Sequence, residues 1–186
     1  MFVSFLFVAS NLKAQLMRTQ EDALKLAFPT AKVERLTVFL TETQVEQIQK
    51  LAHVKLESKL VTYYVGRSGS EIAGFAFFEK NTVRTKEEIF MVVLNPDGSV
   101  RFVEMLAFYE PFDYLPTSRW LKLFGGKSLT DGLWPGREIH NITGATLTAR
   151  AVTLGVRKVL ATFKLAVHPE IETGQVQEAK VKMGAK

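Results

Sequence analysis

Over residues 19–28 the segment TQEDALKLAF places Ala23, Leu24, Ala27 and Phe28 at helical spacing, with acidic residues in the first turn and Pro29 as a stop. The pattern predicts a short amphipathic helix. A second is predicted over 41–52, TETQVEQIQKLA, where Thr41 can cap and Val45, Ile48, Leu51 and Ala52 mark one apolar face. Past residue 58 the period changes. KLVTYYVGR at 59–67 is rich in β-branched and aromatic residues, and RSGS at 67–70 supplies a turn before EIAGFAFFEK. EEIFMVVLN follows, and the PDG turn at 96–98 leads into SVRFVEMLAFYE. These segments predict a meander of four strands, antiparallel because a parallel pair needs a crossover of a dozen or more residues.

The next stretch, EPFDYLPTSRWLKLFGGKSL, breaks both periods with two prolines, two glycines and four aromatics. Thr117 or Ser118 can cap a short helix over 119–124, stopped by Gly125 and Gly126. An irregular, aromatic-rich region beside a sheet is a common place for a binding site. A last amphipathic helix is predicted over 146–163, with Val152, Val156, Val159, Leu160 and Phe163 as its apolar stripe. The fold class expected is α+β, an antiparallel β-meander sheet packed with helices. The organisation expected is a signal remnant at 1–15, a helical segment at 16–57, the main domain at 58–166 and a flexible tail at 167–186, where little is left to bury.

Composition narrows the function. With 186 residues, 47% of them hydrophobic, the chain has enough material for one well-filled core. The formal charge of +5 comes from scattered residues, not from a basic run, so no nucleic-acid partner is expected. There is no cysteine, which excludes disulfides, zinc thiolates and thiol chemistry. His53, His140 and His168 lie too far apart in sequence for metal-ligand spacing. The opening run MFVSFLFVA, followed by SNLKAQ, reads as the end of a secretory signal. It is too short to cross a bilayer. No Lys or Arg precedes it, so a buried strand is the competing reading.

The candidate chemistry sits at ITGATLTARAV, residues 142–152. A helix start offers several backbone amides without internal partners, together with the positive end of the helix dipole. Gly144 permits close approach of a ligand, Ala145 adds little bulk, and Thr146 brings a hydroxyl to the place where a phosphate would sit. Arg150, four residues on, shares that helical face. The local chemistry leaves two readings open: an anion site, or threonines that do no more than cap amides.

The segment 140–149, HNITGATLTA, resembles the flavinylation motif of the FMN-binding domain family. That family includes subunits of the sodium-pumping NADH:quinone oxidoreductase and of Rnf complexes, and single-domain exported electron-transfer proteins. The family pattern is roughly Asp-x-x-Ser/Thr-Gly-Ala-Thr/Ser, and Thr143, Gly144, Ala145 and Thr146 match it. His140 stands where the family usually has Asp, and Ala149 where a Ser often ends the motif. The likeness extends more loosely over 58–165, through the meander, the EP-x-x-Y-L-P segment at 110–116 and RWLKLFGGK at 119–127.

The resemblance implies covalent FMN, attached as a phosphoester to Thr146 at the start of the C-terminal helix by a separate flavin transferase. Thr143, Gly144, Ala145, Thr148 and Arg150 would surround the phosphate. Tyr109, Tyr114 and Trp120 are the candidates to stack on the flavin ring, with Glu110, Lys122 and Lys127 as polar neighbours. It also implies a periplasmic protein, or one on the outer face of the cytoplasmic membrane, that passes electrons between a donor and an acceptor protein, membrane-bound partners or cytochromes among them. No Ser-His-Asp set or paired carboxylates suggest another reaction. The alternatives are a small flavin reductase with non-covalent FMN and a non-redox anion-binding module.

Overall fold

The computed structural model describes residues 15–172. Fourteen of the first fifteen residues, where the signal sequence was expected, and the tail beyond 172 lie outside them. The architecture is α+β, an antiparallel sheet covered by helices on both faces. Strands β1 (Gln15–Leu16), β2 (Lys32–Phe39), β3 (Leu60–Ser68), β4 (Glu71–Thr82), β5 (Glu87–Leu94) and β6 (Val100–Phe108) stand in the order β1-β6-β5-β4-β3-β2, every neighbour antiparallel. The four-strand meander read from the sequence is β3 to β6.

Helix α1 (Gln20–Ala27) lies on one face of the sheet. Its Ala23 and Ala27, with Phe28, meet Ala76, Met91, Val93 and Leu106. The other face carries the larger core, where α2 (Glu42–Ala52), the short α3 (Ser118–Leu121) and the long α4 (Thr146–Thr162) cover Phe75, Phe77, Phe90, Val92 and Phe108. Local chemistry starts the first three helices. The hydroxyls of Thr19, Thr41 and Thr117 each accept a backbone N–H of the first turn, and Gln44 completes a capping box with Thr41. α4 runs on through a π-helical stretch, Phe163–Val167, into α5 (His168–Glu172). The helix thus reaches past His168, and Phe163, Ala166 and Val167 are buried in the main core.

The segment 16–57, expected to be helical, also contributes β2 between its two helices. The strand has a weak sequence signal because it forms an edge: only Val38 is fully buried, and Lys32, Arg35 and Phe39 are exposed.

α4 comes close to the sheet because residue 155 is glycine. A Cβ there would stand 2.6 Å from the Phe90 ring and 2.8 Å from the Asn81 amide nitrogen. Gly155→Ala, despite its better helix propensity, is expected to lower stability by about 1–3 kcal/mol, since neither neighbour is free to retreat. Urea denaturation of the variant checks this, and an unchanged or raised midpoint would contradict it.

Candidate functional site

Helix α4 begins without a side-chain cap. The residue before it, Ala145, has φ −127° and ψ 41° and no group to offer, and Gly144 bends the chain into place at φ +79°. Ala145 N–H donates to the Ile142 carbonyl at 2.9 Å, and the first intrahelical bond runs from Ala149 N–H to the Ala145 carbonyl at 3.1 Å. The amides of Thr146, Leu147 and Thr148 thus form the free positive end of a 17-residue helix. Thr143 does not cap them, although a threonine at that distance suits the task. Its side chain and that of Thr146 are both exposed. Space around Gly144 is open, with no atom within 4 Å of an added Cβ.

Below this start lies a pocket of about 40 Å³, lined by Gly144 to Thr148 on the helix side and by Val83, Arg84, Glu110 and Tyr114 opposite. Thr148 is 1% exposed and its hydroxyl has no hydrogen-bond partner among the described residues. A buried hydroxyl without a partner is costly unless a ligand or water meets it. Two chain segments far apart in sequence build the opposite wall. Glu110 follows β6 and reaches under the β4–β5 hairpin tip, where its Oε1 accepts the N–H groups of Arg84 (3.2 Å), Thr85 (2.8 Å) and Lys86 (2.9 Å). Those backbone bonds, first that of Thr85, hold its carboxyl below the usual carboxylate range against the opposing effect of burial, and Arg84 adds a charge contribution. The Arg84 guanidinium lies 5.3 Å from the centre of the Tyr114 ring. A 3₁₀ turn, Phe112–Tyr114, presents that ring.

The structure therefore brings Gly144, Ala145, Thr146 and Thr148 together with Glu110 and Tyr114. It does not bring the remaining candidates to the pocket. Trp120 is 8% exposed, packs edge-on against Phe124 and donates its indole N–H to the His140 carbonyl at 2.6 Å. It is a core residue that braces the loop before the threonines, because that N–H needs a buried partner. Lys127 pairs with Glu138 at 2.8 Å, Arg150 and Lys122 point to solvent, and Tyr109 is half-buried outside the pocket lining. The cation at the pocket is Arg84, at the tip of the β4–β5 hairpin.

Glu110 holds the hairpin in position, so its loss has a calculable effect. Glu110→Ala leaves three amides of the turn without their acceptor and is expected to cost about 1–2 kcal/mol of stability. The lowered carboxyl fixes the sign with pH: the contribution is present above the ordinary carboxylate pKa and fades as the pH falls through the depressed folded value. Chemical denaturation across the acid range should show the difference between wild type and variant at its full size at pH 7 and shrinking as the pH falls below the ordinary carboxylate range.

Among the described residues no histidine or carboxylate is hydrogen-bonded to the Thr146 hydroxyl, and no cluster of three metal-binding side chains occurs. The site offers free helix amides, a nearby guanidinium and an accessible hydroxyl, which suit an anion. No helix among the described residues is long and apolar enough to cross a membrane. Comparison with protein-family models and with curated protein sequences gives no match.

Proposed function

We propose that this protein is an electron-transfer flavoprotein that carries FMN through a phosphoester to Thr146 and shuttles electrons between redox partners. The observation that carries the proposal is the uncapped start of α4: an exposed Thr146 hydroxyl beside free amides, an orphaned Thr148 hydroxyl and the Arg84 guanidinium. These groups suit a phosphate. Amides and the helix dipole favour negative charge, Arg84 adds a cation, and Thr148 has a bond to give. The likeness of 140–149 to the motif of the FMN-binding domain family supplies the identity of the phosphate's bearer.

When bound, FMN supplies one- and two-electron redox chemistry. The chain's own residues hold the phosphate, and Tyr114 with Arg84 over its face offers an aromatic surface near the attachment point. A separate flavin transferase makes the bond. Covalent attachment fits a protein working in the periplasm or on the outer face of the cytoplasmic membrane, where FMN is not resupplied. Membrane-bound donors or acceptors and cytochromes are the partners this location implies.

The orphaned Thr148 hydroxyl equally suits a phosphate held without a covalent bond, as in a small flavin reductase or a non-redox anion-binding module. One experiment separates these readings. Protein made in a host that contains the flavin transferase is denatured and freed of small molecules. Colour that stays with the chain supports the proposal, colour released to solution supports a non-covalent flavin, and protein that never gained colour in that host speaks against both.

A further inference from the structure

A second cavity, of about 340 Å³, is lined by His53 at the end of α2, by Asp131, Trp134 and Arg137 of the loop before α4, and by Arg157 of α4 itself. It shares no residue with the pocket at the start of α4. Arg157 is its buried wall, with only 3% of the residue exposed. Nη1 donates to the carbonyls of Thr130 (2.7 Å) and Leu133 (3.0 Å), and Nη2 to that of Leu51 in the last turn of α2 (2.6 Å). The guanidinium carbon lies 5.2 Å from the centre of the Trp134 ring. These contacts fix the group in place, yet none of them brings a full negative charge to it, and Nε has no hydrogen-bond partner among the described residues. A charge buried without a counter-ion is costly. Burial works against the charge, and the Asp131 carboxylate works in its favour without forming an ion pair with it.

Arg137 brings a second guanidinium. It is exposed, donates from Nη1 to the Asp131 carbonyl at 3.0 Å, and takes part in no ion pair among the described residues. Its acidic chain neighbour, Glu138, is held instead by Lys127 and Thr130. The cavity therefore carries two guanidiniums against one carboxylate. The rest of the lining is aromatic. His53 packs edge-on against Trp134, with ring centres 5.3 Å apart and planes at 77°. It does so from a left-handed backbone, φ 58° and ψ 38°, at the C-terminal cap of α2, where glycine is the usual residue. No other non-glycine among the described residues has a positive φ. A cap that served α2 alone would be better filled by glycine, and what glycine lacks is the imidazole wall.

An excess of positive charge beside aromatic rings suits an anion with an apolar body. Asp131 narrows the choice, because its carboxylate repels a doubly charged phosphate more strongly than a singly charged carboxylate. We infer that the cavity between α2 and the loop before α4 binds a small aromatic monocarboxylate, its carboxylate hydrogen-bonded to Arg137 in the field of Arg157 and its ring against Trp134 and His53. This inference does not rest on FMN at Thr146, and its test makes no use of flavin.

The test follows the indole N–H signals of the full chain by NMR while benzoate, its neutral counterpart benzamide, or inorganic phosphate is added. The chain has two tryptophans, so Trp134→Phe assigns the signals. Benzoate is expected to shift the Trp134 signal saturably and leave that of Trp120 in place, with benzamide and phosphate at least about tenfold weaker. Arg137→Ala, at an exposed position, should weaken benzoate about tenfold or more. Asp131→Asn should tighten benzoate and admit phosphate. His53→Gly separates binding from folding: its urea midpoint should stay or rise, since glycine suits the left-handed cap, while benzoate binds more weakly. Absence of a saturable Trp134 shift overturns the inference, and so does a shift of Trp120 in its place. Benzamide as tight as benzoate, phosphate as tight as benzoate on wild type, or benzoate binding unchanged in Arg137→Ala overturns it equally.

Discussion

Thr146→Ala, produced beside the flavin transferase, should yield a colourless protein with the mass of the bare polypeptide, while wild type gains the mass of FMN less one water. The effect is all or none, because a phosphoester needs the one oxygen that the substitution deletes. Thr143→Ala tests the neighbour. Its hydroxyl is exposed and caps nothing, so that variant should still be modified. Thr146→Ser keeps an oxygen at the same place on α4 and should also retain the flavin. Arg84→Ala should slow attachment without abolishing it, since the helix amides remain. Loss of modification in Thr143→Ala with retention in Thr146→Ala would move the attachment residue and refute the proposal as stated.

The pH dependence of stability should carry a large contribution from Glu88. This residue is fully buried on β5, facing the core, and neither carboxylate oxygen receives a hydrogen bond of normal geometry. Burial pushes its carboxyl up to about 8, the Asn81 amide beside it acting in the opposite direction. In the unfolded chain a glutamate titrates near about 4.3. The folded protein therefore holds a proton that the unfolded chain has already lost across the interval between these values. Stability should be greatest, as far as this group decides, below the unfolded value, and should decline as the pH rises toward about 8, flattening above it.

At about 1.4 kcal/mol per pH unit the whole decline amounts to several kcal/mol, a large part of the total for a domain of this size. Glu88→Gln removes the titration while keeping the shape. It should reduce the slope between about pH 5 and pH 8 and make the variant more stable than wild type by roughly 2–4 kcal/mol at pH 8, with little difference near pH 4. Urea denaturation at the two pH values decides the matter. Parallel profiles for both proteins would show that Glu88 is ionised in the fold.

Much of this architecture could be read locally. The threonine caps of α1, α2 and α3 are three-residue events, and the meander announces itself through β-branched runs separated by SGS and PDG. β2 was hidden because an edge strand needs few buried positions, and its KVERLTVF mixes exposed Lys32, Arg35 and Phe39 with the single buried Val38. Glu88 could not be told from Glu87 next to it. Their opposite fates depend on which side of β5 meets α4, and that is set by register.

The candidate site divides in the same way. The helix start at 144–148 and the meeting of Glu110 with Tyr114 were visible because they lie in two short segments with distinctive composition. Arg84 was not, since its place at the pocket results from the hairpin tip folding onto Glu110, 26 residues away. Trp120 is a candidate for the flavin by sequence because an aromatic in a Pro- and Gly-rich stretch has the same sequence character whether it lines a pocket or fills a core. Its buried indole and bond to the His140 carbonyl put it in the core. The missing cap of α4 was equally invisible: Thr143 looks like a capping residue, and only the turn at Gly144 carries it out of reach.

The central claim is tested most directly by digesting wild-type protein, made beside the flavin transferase, and fragmenting the peptide Glu138–Arg150 in a mass spectrometer. The account predicts that this peptide carries FMN less one water and that fragmentation localises the addition to Thr146. An unmodified peptide from protein of a host proven to flavinylate other targets would contradict it.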